Sequence, residues 1–213
     1  ILLFSSCVQT PDPETPKRIS YAFNVSNVGD TLVVDQDSVS VNQVKILANK
    51  FKLQLPDSAQ LESQVDAIIM GYNEQNNDED ELVLGVNIGF EDFSRFLGFD
   101  LFIAPPNDDD NIQDNDFFGS DGNYSVIMKG VYNGSNFTYR STPNFTKEFS
   151  FDNGIELDDE KSTLALRVLL DVENILIDET NNKLYDPRND KAAIDSLIER
   201  NMGLDAFATQ RLF

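Results

Sequence analysis

The chain has 213 residues, 40% of them hydrophobic with 16 Phe, which is enough apolar material for one sizeable core. Its net charge of −21 argues against binding nucleic acid through phosphates or an anionic lipid surface through head groups. It has no His and one Cys, which removes the Ser-His-Asp triad, the commonest transition-metal ligand, an intrachain disulfide and a thiolate zinc cluster. The acidity is regional: residues 53–128 hold 17 Asp and Glu against the single basic Arg95.

Residues 1–6 and Cys7, ILLFSSC, are apolar and end in small residues before the cysteine. This pattern reads as a signal-peptide remnant with a lipobox, Phe4-Ser5-Ser6-Cys7, in which Cys7 is the lipidated residue. The bland alternative is a buried free Cys on an N-terminal strand. Residues 7–18 form a proline-rich tether, with Pro11, Pro13 and Pro16 holding the chain extended at about 3 Å per residue. The expected location is the outer membrane, facing periplasm or cell surface, with membrane contact through the lipid on Cys7.

The body, residues 19–188, reads as strands. Tyr21, Phe23 and Val25 alternate with polar neighbours, Gly29-Asp30 signals a turn, and Thr31–Val34 follows as a second strand. From Val39 to Leu55 the alternation changes phase between Asn42 and Asn49, which predicts a bulge or a break. Residues 65–70 and 82–88 read as a strand pair joined by an acidic loop. Phe90, Phe93, Phe96, Phe99 and Phe102 recur every third residue, which suggests one helical turn over 91–97 followed by a strand.

The strongest local signal is residues 124–141, YSVIMKGVYNGSNFTYRS. Asn133-Gly134 is a type I′ turn signal, which pairs Tyr132 with Ser135, Gly130 with Phe137 and Met128 with Tyr139. One face then carries Tyr124, Val126, Met128, Phe137 and Tyr139, with Phe137 covering the bare backbone of Gly130. Phe149 and Phe151 precede a turn at Asp152-Asn153-Gly154, and Leu164, Leu166, Val168 and Leu170 line one face of a core strand. Residues 189–213 read as a C-terminal helix packed on the sandwich. It starts at Asn189 or Asp190, has an apolar stripe of Ile194, Leu197, Ile198 and Met202, and stops at Gly203.

The acidic stretch 107–123 holds Asp108, Asp109, Asp110, Asp114, Asp116 and Asp121 beside Gly119 and Gly122. Ca²⁺ takes six to eight oxygens, so this loop is a candidate calcium site, drawn from Asp108, Asp110, Asp114, Asp116 and Asp121. Its spacing does not match an EF-hand, and the competing reading is a disordered acidic loop. Asp186, Asn189 and Asp190 offer a second oxygen cluster, more simply a turn and helix cap. Tyr132, Tyr139 and Arg140 are candidate lining of a ligand groove, against ordinary cross-strand pairing. The phenylalanine series could form an aromatic platform for a glycan or peptide, against ordinary core.

In order, NYSVIMKGVYNGSNFTYRS, FSFDNGIEL, TLALRVLLDVENIL, LYDPRND and IDSLIER, over roughly residues 120–200, resemble the second half of uncharacterised secreted lipoproteins of Bacteroidetes-type bacteria. The resemblance implies an immunoglobulin-like antiparallel β-sandwich with a short C-terminal helix, exported and lipid-anchored. It carries over no activity and no catalytic residue. The family's Trp-Phe pair after the leucine-rich strand is replaced here by Ile175 and Leu176, and Asp12 and Glu14 resemble surface-export signals.

These readings converge on a mainly β envelope protein, not an enzyme, with a non-catalytic binding or structural role toward a protein or glycan partner. No cofactor is expected apart from Ca²⁺ at the acidic loop. An accessory glycan-binding lipoprotein is the second reading and a carboxylate-only hydrolase the third.

Overall fold

The computed structural model describes residues 17–62, 68–73, 82–84, 94–107, 110 and 112–209. Cys7, the tether up to Pro16, Phe90, Phe93, Asp108 and Asp109 therefore lie outside the described residues. The fold is a mainly β sandwich with a short helix near its C-terminal end, as the sequence predicts.

One sheet is built on a single long strand. After β1 (Arg18–Ser26) and β2 (Thr31–Val34), β3 runs unbroken from Asp37 to Gln54. The predicted phase change is met by two bulges, not a break. The inward set is Val39 and Val41, then Val44, Ile46 and Ala48, then Phe51 and Leu53. Each step of three coincides with a register shift, and the residues skipped are Asn42 and Asn49.

Pairing occupies both flanks of β3. On one flank lie β2, β4 (Gln60–Glu62) and β5 (Ile68–Asn73). On the other, the first half of β3 pairs with β10 (Val126–Tyr132) and the second half with β7 (Arg95–Ile103). The connection from β7 to β10 includes one 3-10 turn, Asn115–Phe117, and the two-residue ribbon β8 (Phe118–Gly119) and β9 (Gly122–Asn123). Lys45 makes the two-sidedness plain, facing Ile127 on one flank and Gly71 on the other.

The hairpin of β10 (Val126–Tyr132) and β11 (Ser135–Ser141) has the predicted register, Tyr132 opposite Ser135, Gly130 opposite Phe137 and Met128 opposite Tyr139. Asn133 and Gly134 take the φ values of 49° and 74° that a type I′ turn demands. A Cβ on Gly130 would lie 2.0 Å from the Ser40 carbonyl and 3.0 Å from the Phe137 ring, so the close approach excludes any side chain there. Tyr124 departs from the expected face and joins a second buried cluster with Leu47, Phe117 and Ile127.

Three further expectations are corrected. Arg95 to Leu97 belong to β7, so no helix ends there, because Phe96 and Phe99 both reach the core from a strand. Residues 68–73 and 82–84 do not pair with each other: β5 pairs with β3, while β6 (Leu82–Leu84) pairs with β1 in the opposite sheet. The turn at Asp152–Gly154 is a bulge within β12 (Phe145–Glu156), since Ser150 and Ile155 face Gly98 and Phe96 of the same neighbour, β7.

The second sheet has the order β16 (Gly203–Thr209), β13 (Thr163–Asp171), β1, β6. Its strand β13 (Thr163–Asp171) carries the predicted apolar face and runs parallel to β1, the one parallel pair among the described strands. From β13 the chain passes through the single turn α1 (Val172–Leu176), the ribbon β14 (Ile177–Asp178) and β15 (Lys183–Leu184), and α2 (Lys191–Asn201). It then returns as β16 (Gly203–Thr209), antiparallel to β13. Residues 189–213 are therefore not helix alone, and α2 ends with Met202 as its cap.

Rings join the two sheets: Tyr21 of β1 stacks on Phe51 of β3 at 4.7 Å, and Phe51 on Phe99 at 5.7 Å. Most of the buried apolar residues form one contiguous core between the sheets. Burial of this size is what holds the two layers face to face.

Candidate functional site

Two aspartates of the acidic stretch, Asp114 and Asp116, are ion-paired from within the chain. Lys45 stands outward between Val44 and Ile46 on β3, and Lys129 stands outward on β10 as its diagonal neighbour. Lys45 Nζ lies 2.6 Å from Asp114 Oδ2 and 2.7 Å from Asp116 Oδ2, and Lys129 Nζ lies 2.6 Å from Asp116 Oδ2. Hydrogen bonds from Lys129 and then Lys45 hold the Asp116 carboxyl down at about 2. Burial alone would lower Lys45, but its bonds to Asp114 and Asp116 outweigh that and raise it.

The remaining aspartates go elsewhere. Asp114 Oδ1 also caps the 3-10 turn by accepting Asp116 N at 2.9 Å. Asp110 Oδ2 accepts Asn107 N at 2.7 Å and faces Asn49 Nδ2 at 3.5 Å, so the second bulge of β3 anchors the start of the acidic run. Asp121 accepts the Tyr124 hydroxyl, which lowers its carboxyl. Of the proposed calcium ligands among the described residues, which exclude Asp108, only Asp114 and Asp116 come together, and they do so around an ammonium. Among the described residues no three His, Cys, Asp or Glu side chains are grouped to hold a metal.

The proposed groove of Tyr132, Tyr139 and Arg140 is not one surface. Tyr139 is fully buried; its hydroxyl donates to Asp195 of α2, whose other oxygen accepts Ser141 Oγ at 2.5 Å. Burial first, and that hydrogen bond second, push its phenol well above the ordinary tyrosine range. Tyr132 is covered by Arg188, whose guanidinium lies 4.8 Å from the ring centre. Arg188 in turn grips Asp186 with Nε at 2.9 Å and one terminal nitrogen at 2.8 Å. Arg140 points to the other face, 5.7 Å from the Tyr124 ring.

Asp186 and Asp190 build a turn: Asp190 Oδ2 accepts Asp186 N at 3.0 Å, and Asp186 accepts Asn189 Nδ2 at 2.8 Å; Asp190 holds the N-cap position of α2, but its carboxylate bonds to this turn and not to the helix. Phe96 and Phe99 are core, fully buried, which removes the platform reading for them. Asp195 is the residue that sequence reasoning misses. Its signal is indirect: an inward Tyr on a core strand needs a partner for its hydroxyl.

What remains open is a seam between the sheets. Inward-facing Lys147 of β12 donates to the last carbonyls of α2, Glu199 O at 2.7 Å and Arg200 O at 3.0 Å. Up to that point α2 closes the side of the sandwich. Beyond it the edge strands β12 and β16 face one another across a groove of about 620 Å³. Phe149, Phe151 and Ala206 contribute its apolar wall, and Glu148, Asp152 and Asp205 its rim, with no Lys or Arg in the lining. The nearest cation to the bulge, Arg95, is turned to Asn153 O at 3.0 Å. The groove combines an apolar floor, carboxylates and strand edges.

No protein-family model and no curated protein matches the chain. Among solved structures it is similar to MbnP from Methylosinus trichosporium, with 10% sequence identity, a TM-score of 0.48, and coverage of 76% of this chain and 77% of that one.

Proposed function

We propose that this protein is a non-catalytic binding module of the Gram-negative outer membrane, held by a lipid on Cys7 and presenting the seam between β12 and β16 to a partner. The observation that carries this reading is the contrast between that seam and the other polar groups. The described aspartates of the acidic stretch, the Tyr139–Asp195–Ser141 cluster and the Asp186–Arg188 pair are all spent on holding the scaffold. The seam joins half-buried Phe149 and Phe151 to exposed carboxylates without an internal partner strand among the described residues. At Asp114 and Asp116 the ammonium groups of Lys45 and Lys129 already stand where Ca²⁺ would bind.

Two measurements in cells test the reading. A fatty-acid analogue should label Cys7, and loss of label on Cys7→Ser should follow. A photoreactive phenylalanine analogue at position 151 should form a defined adduct that Ala206→Trp abolishes, whereas the same analogue at exposed position 33 should not. No adduct from position 151 would remove the seam as a binding surface. An adduct carrying sugar, not polypeptide, would favour the accessory glycan-binding reading.

A further inference from the structure

We infer that the free edge of β16 accepts an extended peptide of alternating apolar and basic residues, which adds to the sheet as a further strand inside the seam. This rests on the seam being the binding surface and names the ligand class and the mode.

Three observations lead there. β16 pairs with β13 over seven consecutive residues, Thr163 opposite Thr209 through Leu169 opposite Gly203, with no register shift. Its other edge is therefore regular, and no described strand pairs with it. Unpaired backbone N–H and C=O groups in register are the template that strand addition uses. The facing strand β12 is a poorer template, because residues 151–154 bulge out between Ser150 and Ile155.

The side chains set what fits. The inward positions of β16 are Leu204, Ala206 and Ala208, all only partly buried; the small side chain of Ala206 lines the groove with Leu204 and leaves room before the Phe149 and Phe151 rings. A strand lying there would turn every second side chain into that apolar space. The intervening side chains would lie on the outer face of this sheet beside Asp205, while Glu148 and Asp152 add negative charge from the facing strand, on a chain whose net charge is already −21. Three carboxylates with no cation among the lining residues select basic over acidic partners and speed their encounter. A glycan can bond single backbone groups but does not repeat in step with a strand edge, and Phe rings give it no polar handle.

The test uses the full chain and a synthetic nonapeptide alternating valine and lysine, with blocked ends. Binding should weaken steeply as salt rises. The amides of β16 should gain protection from hydrogen exchange. N-methylation at alternate peptide bonds, which removes the donors, should weaken binding roughly tenfold or more. Asp205→Asn, an exposed change that sets no second cation opposite Arg167, should weaken it severalfold, and a valine–glutamate peptide should not bind.

Equal binding of the N-methylated peptide, equal binding of the acidic peptide, or protection confined to strands other than β16 would each overturn the inference. Absence of binding by the valine–lysine peptide would overturn it too. If adducts from position 151 persist in that case, the seam still binds a partner by another mode; if they are also missing, the seam itself fails.

Discussion

Replacing Lys45 by Met keeps the methylene stem against the sheet and removes only the ammonium that joins the acidic stretch to β3. The Lys45 side chain is 16% exposed, and those of Asp114 and Asp116 are 27% and 22% exposed. The pair thus lies between two regimes, exposed ion pairs worth at most about 1 kcal/mol and buried pairs whose disruption costs about 3–5 kcal/mol. Asp116 would keep Lys129 at 2.6 Å, whereas Asp114 would keep only its turn-capping bond to Asp116 N. The expected loss is about 2 kcal/mol, or roughly 4–8 °C in Tm for a chain of this size. Lys129→Met is the internal control. Its partner Asp116 retains Lys45, and its side chain is 38% exposed, so it should cost less than about 1 kcal/mol. Thermal unfolding by circular dichroism, with and without millimolar Ca²⁺, measures all three proteins. A Lys45→Met midpoint within about 1 °C of wild type, or a larger loss in Lys129→Met, would refute the assignment of Lys45 as the central cation. A Ca²⁺-induced rise of several degrees in the wild type would show these carboxylates taking a cation in place of the ammonium.

The same cluster sets an acid limit. Asp116 sits at about 2 in the fold against 3.8 in the free side chain, so its contribution is complete above about pH 4 and is lost as pH falls toward 2. Allowing for partial solvent screening this is about 1–2 kcal/mol, and a Lys45→Met, Lys129→Met double variant that kept the same acid slope would contradict it. Gly130→Ala should cost roughly 2–4 kcal/mol by forcing a Cβ onto the Ser40 carbonyl, and a loss below about 1 kcal/mol in denaturant unfolding would mean the β3–β10 register is wrong. Asp195→Leu strands the hydroxyls of both Tyr139 and Ser141 and should cost about 2–4 kcal/mol, whereas Tyr139→Phe should cost about 1 kcal/mol; equal losses would show that the two hydroxyls do not share that carboxylate.

Local chemistry was legible where one short-range rule dominates. The Asn133-Gly134 turn fixes the register of its hairpin, and the change of phase between Asn42 and Asn49 marks a real irregularity, which the structure resolves into two bulges, because period two cannot be kept inward across an inserted residue. The periodicity of Ile194, Leu197 and Ile198 likewise locates α2. What was not legible depends on partners distant in sequence. Nothing near Asp116 indicates that Lys45, seventy-one residues earlier, neutralises it. Nothing near residues 203–209 separates a loop from a strand except the open edge of β13. The Asp152–Gly154 turn signal was chemically sound, with Gly154 at φ 70°, but a turn and a long bulge ask for the same residue; the neighbour β7 decides between them.

The registers along β3 explain why the acidic stretch and the seam exist at all. Val126 faces Ile46 and Ile103 faces Ala48, so β10 and β7 lie end to end on one flank of the same strand, two positions apart. In the next rank out, Ser141 of β11 faces Val126 and Phe145 of β12 faces Ile103, so these also lie end to end with only Thr142, Pro143 and Asn144 between them. Residues 104–125 are therefore an excursion inserted into what is otherwise one continuous strand. It leaves the sheet beside the Asn49 bulge and covers Leu47 and Ile127 with Phe117 and Tyr124 on the outer face. An excursion placed over an outer face that carries Lys45 and Lys129 tolerates its aspartates because those cations stand beneath them. The joined strand β11–β12 is longer than the 11-residue α2 that closes the side of the sandwich. The helix meets it around Tyr139, Ser141 and Lys147, and past Lys147 the edge runs on uncovered opposite β16. The seam is thus a consequence of a strand outrunning its cover, which is why it is lined by backbone edges and half-buried Phe and not by a constellation of reactive groups.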